Sequence, residues 1–253
     1  MKNIIVFALA LLCLVGCSDS KTTVDDDPIE KYGSDVLNVF NWGEYIGEDV
    51  IANFEEEYGV KVNYSMFDSN EILYTKLLSG TSYDVIVPSD YMIERLMEED
   101  MLQPLDYSYM TNLDDLDPGV VALRDEYDPD GVYSMPYFWG SVGLIYNKKN
   151  VDADKLEELG WNILRDTEYA DRIFMYDSER DSFMVALKAL GYSMNTENMD
   201  EINEAYEWLC ELHDTMHPAY VTDEVNDAMI NNEKDIAVVY SGAAAYIISQ
   251  NED

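Results

Sequence analysis

Tyr83-Asp84-Val85-Ile86-Val87-Pro88-Ser89-Asp90-Tyr91 is the stretch on which the fold turns. Residues 83–87 are nearly all apolar or aromatic, as a strand of a parallel sheet covered on both faces should be. Asp90 then heads a helical pattern that puts Ile93, Leu96 and Met97 on one side. The same alternation runs upstream. Residues 36–40 alternate as a strand. Ile46, Val50, Ile51 and Phe54 recur at helical spacing up to Gly59, a C-cap residue. Residues 60–66 read as a second strand, and Ser69 heads a helix with Ile72, Leu73, Leu77 and Leu78 inward that ends at Gly80. Strand and helix thus alternate three times, which predicts a βαβαβα half of a doubly wound α/β sheet.

Downstream the character changes. Residues 106–130 are acidic and carry the turn signals Pro118-Gly119 and Pro129-Asp130-Gly131, so they read as loop. Residues 133–146 are aromatic and apolar and read as an extended passage into a second lobe. There the alternation resumes. A helix spans 154–159 and a strand 172–176. The next helix has Phe183, Leu187 and Leu190 on its core side and stops at Gly191. Asn198 with Glu201 starts a helix to Leu212 that turns Ile202, Tyr206 and Leu209 inward. A short helix at 225–230, a strand at 235–240 and a helix from 243 follow. The chain stops inside that apolar helical pattern, from which a further segment beyond Asp253, or an unusually small first lobe, is expected.

There are 15 Lys and Arg against 52 Asp and Glu, a formal net charge of −37. Such a chain repels nucleic acid and anionic headgroups and attracts cations. Solubility or adaptation to salt accounts for the same balance. At the N-terminus, Lys2 precedes an apolar run and Leu14-Val15-Gly16-Cys17 closes it. Residues 1–16 read as a signal peptide, too short to span a bilayer comfortably. The motif resembles a bacterial lipobox. Cys17 would then carry lipid, residues 17–34 with Asp25-Asp26-Asp27 would be a disordered tether, and the protein would work outside the cytoplasmic membrane, anchored to it. An ordinary signal peptide with a chance cysteine is the other reading. With Cys13 in the leader and Cys17 lipidated, Cys210 has no disulfide partner and is expected as a buried thiol.

Few motifs suggest chemistry. His213 and His217 stand four apart, but Pro218 ends the helix there and no third ligand is in view, so helix-end histidines are the reading. Glu126-x-Asp128-x-Asp130-Gly131 resembles the front of a calcium loop without its closing glutamate and reads as a plain turn. No nucleophile elbow, P-loop or dinucleotide glycine pattern occurs. No catalytic residue, metal or cofactor is assigned. What stands out is aromatic residues placed just after strands: Trp42 and Tyr45, Tyr91 beside Ser89, and Tyr240. Ligands of doubly wound sheets bind outside the carboxyl ends of the strands. Rings beside carboxylates suit an organic cation. The same residues equally suit core and rim packing, and both readings stay open.

The segments Phe40-Asn41-Trp42-Gly43-Glu44-Tyr45, Ser69-Asn70-Glu71, residues 83–89, residues 133–140 and residues 183–193 together resemble the spermidine/putrescine-binding subunits of ABC importers. The resemblance runs from about residue 36 to the end of the chain. It implies a two-lobe periplasmic-binding-protein-like fold of type II, with lobes at 35–136 and 137–253, both incomplete because the family continues past this point. It implies no enzymatic activity, a polyamine ligand, an ABC permease as partner and a monomer. Trp42 and Tyr45 would wall the methylene chain, Ser89 and Tyr91 would offer oxygens and a ring, Asp181 would accept from an amine, and Tyr240 would be an aromatic wall. Gly43 stands where the family often has a hydroxyl residue, and Ser178 where it has a second acid. Alternatives of the same architecture take another cationic solute or ferric iron; an exported hydrolase is the alternative from another class.

Overall fold

The computed structural model describes residues 27–43 and 45–251, so the leader and Cys17 lie outside the described residues. Helix α1 (Pro28–Tyr32) comes first: the Asp27 carboxylate accepts from the Ile29 N–H at 3.0 Å, Pro28 opens the first turn, and Gly33 closes it at φ +81°. A short helix therefore lies inside the segment that reads as a tether.

The first sheet holds β1 (Val36–Trp42), β2 (Lys61–Phe67) and β3 (Val85–Ile86) in the order β2-β1-β3. β3 runs parallel to β1, with Val39 opposite Val85 and Phe40 opposite Ile86. α2 (Val50–Tyr58), α3 (Asn70–Leu78) and α4 (Asp90–Glu98) follow the strands in turn. The alternation expected from sequence is present, but the burial differs. Val85 is 44% exposed, and among the described residues β3 stands at the edge of the sheet. On α3 only Leu73 is fully buried, while Ile72 and Leu78 are exposed; on α4 Met92 joins Leu96 inside. These residues pack with Phe40 and Phe67 into one core, where the Phe40 ring lies stacked on Tyr83 at 4.4 Å and edge-on to Phe67 at 4.9 Å.

The chain falls into two compact units, one of residues up to Leu37 with Gly47–Asn63, the other of Asn38–Ile46 with everything from Tyr64. In the small unit, Gly59 ends α2 at φ +67°, the Glu55 carboxylate accepts from the Val62 N–H at 2.8 Å, and Tyr58 lies between Phe54 and Tyr32. All that follows lies in the large unit.

Residues 106–130 are less loop-like than their composition suggests. Asp117 and Pro118 form the N-cap and first position of α5 (Pro118–Arg124), with the Asp117 carboxylate accepting from Gly119 N–H at 2.7 Å. Behind it sits Asp128, 1% exposed, which accepts from the N–H groups of Val132, Tyr133 and Ser134 and from the Ser134 hydroxyl, at 2.7–3.0 Å. One carboxylate thus satisfies three consecutive backbone donors and anchors the start of the aromatic passage. That passage has no regular element through residue 140 and becomes extended only at β4.

The second sheet holds β4 (Val142–Tyr146), β5 (Ile173–Tyr176), β6 (Ala219–Val221) and β7 (Ile236–Tyr240) in the order β4-β7-β5-β6. β5 is parallel to β6 and β7, and β4 runs antiparallel to β7. Helices α6 (Ala153–Leu159), α7 (Glu179–Leu190), α8 (Met199–Met216), α9 (Val225–Ile230) and α10 (Ser241–Gln250) complete it. The strand period of two divides the core. Ile173, Met175, Ile236 and Val238 pack with residues of α7 and α8; Phe174, Ala237 and Val239 pack with residues of α9 and α10. Both faces are covered, which is why the central strands are apolar throughout.

α8 corrects two expectations. It runs to Met216 and buries Ala205, Trp208, Leu212 and Met216; Leu209 packs against the same core as expected, but the inner face turns away from Tyr206, which is 58% exposed. Cys210 is also exposed rather than buried.

Asp128→Ala is expected to cost about 3 kcal/mol, since it strips a charged acceptor from buried donors. Urea unfolding of the variant measures it; an unchanged midpoint would dismiss the anchor.

Candidate functional site

The candidate residues lie where strands end and helices begin. β1 ends at Trp42, whose indole packs on Phe67 at 4.5 Å between centroids and reaches Tyr45 at 6.1 Å. The Trp42 carbonyl accepts from the Tyr64 hydroxyl at 3.3 Å, and its N–H donates to the Asn41 side chain at 2.8 Å. The Tyr45 ring meets Phe138 edge-on at 5.2 Å, and its carbonyl accepts from the Tyr137 hydroxyl. The aromatic passage therefore braces the strand-end loop. Phe138 and Trp139 themselves are 63% and 73% exposed.

Ser89 caps α4, and Tyr91 stands in its first turn. A residue not singled out from sequence holds both. Asn70, 4% exposed at the start of α3, donates to the Ser89 hydroxyl and to the Tyr91 hydroxyl, each at 3.0 Å, and accepts from the Ser89 N–H at 3.0 Å. The Tyr91 hydroxyl in turn donates to Glu71 at 3.0 Å. Burial first, and then the Glu71 charge, push the Tyr91 phenol well above its ordinary range. Its ring already carries a cation, the Arg180 guanidinium at 5.3 Å from the centroid.

On the second sheet, Ser178 caps α7 and accepts from the Asp181 N–H at 3.3 Å. It fixes the first turn that carries Asp181, where a carboxylate is favoured by the helix dipole. Ser178 also borders a cavity of about 440 Å³ together with Asp68, Glu71, Asp177, Glu179 and Glu224. Tyr240 ends β7 and donates to Asp181 at 2.8 Å. Tyr176, at the end of β5, lies 5.2 Å from the Tyr240 ring and accepts from the Tyr240 N–H at 3.4 Å. Sequence reading also missed Tyr176; its signal was its place as the last residue of a buried strand.

Electrostatics ties these groups together. Burial, then Asp181, raise the Tyr240 phenol far above its usual value. Burial raises Tyr176 to about 12, with Asp181 and Asp223 adding to it. Burial raises Tyr45 as well, followed by Asp223 and Asp181. Tyr45, after β1, and Tyr91, in the first turn of α4, thus sense the same Asp181 that Tyr240 bonds on the second sheet. Trp42 and Tyr45 meet through their rings, Ser89 and Tyr91 through Asn70, and Asp181 and Tyr240 through a direct hydrogen bond, while the Ser178 side chain caps the turn that carries Asp181. The arrangement offers ring faces and carboxylates, groups that suit an organic cation. The two histidines lie apart, His213 at 3.4 Å from the Tyr220 hydroxyl and His217 at 3.4 Å from Asp171.

Two outcomes are expected. Asn70→Ala unseats Ser89 and Tyr91 together and lowers stability by about 1–3 kcal/mol, measurable by urea unfolding. The raised phenols bind their protons more tightly folded than unfolded. Their contribution is therefore complete below about pH 10 and lost as pH rises through the Tyr176 value of about 12. Stability measured at stepwise higher pH should stay level and then fall above about pH 10, less steeply in Tyr240→Phe.

A family model described as bacterial extracellular solute-binding protein matches residues 49–253. The spermidine/putrescine-binding periplasmic protein of Salmonella typhimurium is 35% identical over 213 residues, covering 83% of this chain and 60% of that protein. The chain thus spans 60% of the length of this curated relative. Among solved structures, the spermidine/putrescine ABC transporter substrate-binding protein PotD from Streptococcus pneumoniae aligns with TM-score 0.65 at 38% identity, over 86% of this chain and 66% of that one. The Tp0655 (TpPotD) lipoprotein of Treponema pallidum aligns with TM-score 0.73 at 29% identity, over 86% and 66%.

Proposed function

The chain belongs to the bacterial extracellular solute-binding protein family, and from that premise we propose that it captures a polyamine such as spermidine or putrescine outside the cytoplasmic membrane and delivers it to the permease of an ABC importer. The observation that carries this reading is the Asp181 carboxylate, bonded to Tyr240 at 2.8 Å and electrostatically shared with Tyr45, Tyr91 and Tyr176. An ammonium that leaves water needs a fixed negative partner, and ring faces beside it add roughly 0.5–2 kcal/mol each. Trp42 and Tyr45 supply such faces for the methylene chain, and Ser89 supplies an acceptor oxygen beside Tyr91. Asp181 takes one amine while Tyr240 walls it.

In the whole protein, residues 35–136 and 137–253 contribute to two lobes that close on the ligand, and closure follows because the ligand binds the closed form better than the open one. Cys17 carries the lipid that anchors the protein, in keeping with the Treponema pallidum relative, itself described as a lipoprotein. It acts as a monomer. No bond is made or broken. Ferric iron is the poorer ligand: it binds phenolates, and burial beside Asp181 holds the Tyr240 and Tyr176 phenols protonated. Tyr91 must also exchange its Arg180 partner for the ligand or share it.

Calorimetry with spermidine, putrescine and ferric citrate tests the assignment. Amine binding that weakens as salt rises is expected, and Asp181→Asn should weaken it roughly tenfold or more. Binding of ferric citrate with silence toward both amines would replace it.

A further inference from the structure

Gly43 is a glycine that its backbone does not require. Its φ lies outside the left-handed region, so the main chain there would accept any residue. The obstacle is a side chain from elsewhere. A β-carbon on residue 43 would stand 2.7 Å from Asp223 Oδ2, closer than such atoms approach. Residue 43 must therefore lack a side chain, or Asp223 must move.

Asp223 lies between β6 and α9, far along the chain from Gly43, and register explains how it arrives. β6 pairs with β5 so that Val221 stands opposite Tyr176, and the Asp177 N–H donates to the Val221 carbonyl at 3.0 Å. Residue 223 is thereby brought to the same end of the sheet as Tyr176. Its neighbours bond to each other: the Thr222 N–H and hydroxyl both donate to Glu224 at 2.9 Å. The Asp223 carbonyl accepts from the Asn226 N–H at 3.1 Å, which holds the turn.

We propose that Asp223 is the second acid of the binding site, that Gly43 is the gap which admits its carboxylate, and that the pair makes the site select a dication. This rests on the polyamine reading above. Asp181 and Asp223 flank the same two phenols, Tyr45 and Tyr176, and each raises both of them. Two carboxylates so placed repel each other when the site is empty. A molecule with two ammonium groups relieves that repulsion and meets both acids; a monoamine meets only one.

Calorimetry with putrescine and with n-butylamine on the protein, on Asp223→Asn, on Gly43→Ala and on the double variant reads the pair directly. Asp223→Asn and Gly43→Ala should each weaken putrescine roughly ten- to a hundredfold and erode its preference over n-butylamine. Because both remove the same contact, the double variant should be no weaker than Asp223→Asn alone. Putrescine binding that survives Asp223→Asn unchanged, or losses that add fully in the double variant, would overturn the assignment of Asp223 while leaving the polyamine reading intact. Failure of the unaltered protein to bind any amine would instead overturn both. Carbon-13 tyrosine NMR supplies a readout without ligand: the Tyr45 phenol should titrate at lower pH in Asp223→Asn, and an unmoved titration would place Asp223 elsewhere.

Discussion

A carboxylate held against a phenol organises this protein. Tyr240, at the end of β7, donates to Asp181, in the first turn of α7, across 59 residues of chain. The bond can form only because β5 and β7 are parallel neighbours whose following helices both start at the same edge of the sheet. Helix starts favour negative charge, so that edge is where an acid sits at least cost. The apolar interior of the second sheet, covered on both faces, holds the two strands in that register. Were it loosened, the acid and the phenol would part, and Tyr176 beside them would lose its place.

The first sheet solves the same problem with neutral groups. Asn70 uses both ends of its amide to fix Ser89 and Tyr91, and its burial makes each of those bonds expensive to lose. Asp128 does comparable service for the aromatic passage by satisfying three backbone donors in a row. Neither residue needs to touch a ligand to matter. Each converts a loop, otherwise free to wander, into a platform for the rings that line the candidate site. The acid excess of −37 places the whole molecule in a field that draws cations, while the site itself depends on where a few of those acids stand.

Much of the architecture was legible from the chain, and the failures have physical causes. Strand and helix alternation and the caps at Ser69, Asn198, Gly59 and Gly191 follow from local pattern, whereas the antiparallel pairing of β4 with β7 does not. α5 was missed because acidic composition outweighed Asp117-Pro118, a helix-start pair in its own right. The inner face of α8 was misjudged at Tyr206, which competes with Ala205, Trp208 and Leu212 around one helix and loses to them, while Leu209 keeps its place against the core. Cys210 was placed inside by the same error. Val85 reads as core yet is exposed on the edge strand of the described sheet, since an apolar run does not report a strand's place in the order.

The candidate site divides along the same line. Residue type and position after a strand single out Trp42, Tyr45, Ser89, Tyr91 and Tyr240 without coordinates, because a strand end in an open α/β sheet is where a ligand meets the chain. Asn70, Tyr176 and Asp223 needed the tertiary structure, because their roles are set by what stands opposite them and not by what stands beside them in sequence. Order along the chain thus determined which elements form and which strand ends carry rings. Strand register and side-chain burial, which join residues dozens to nearly two hundred positions apart, decided which acid faces which phenol and why residue 43 has no side chain.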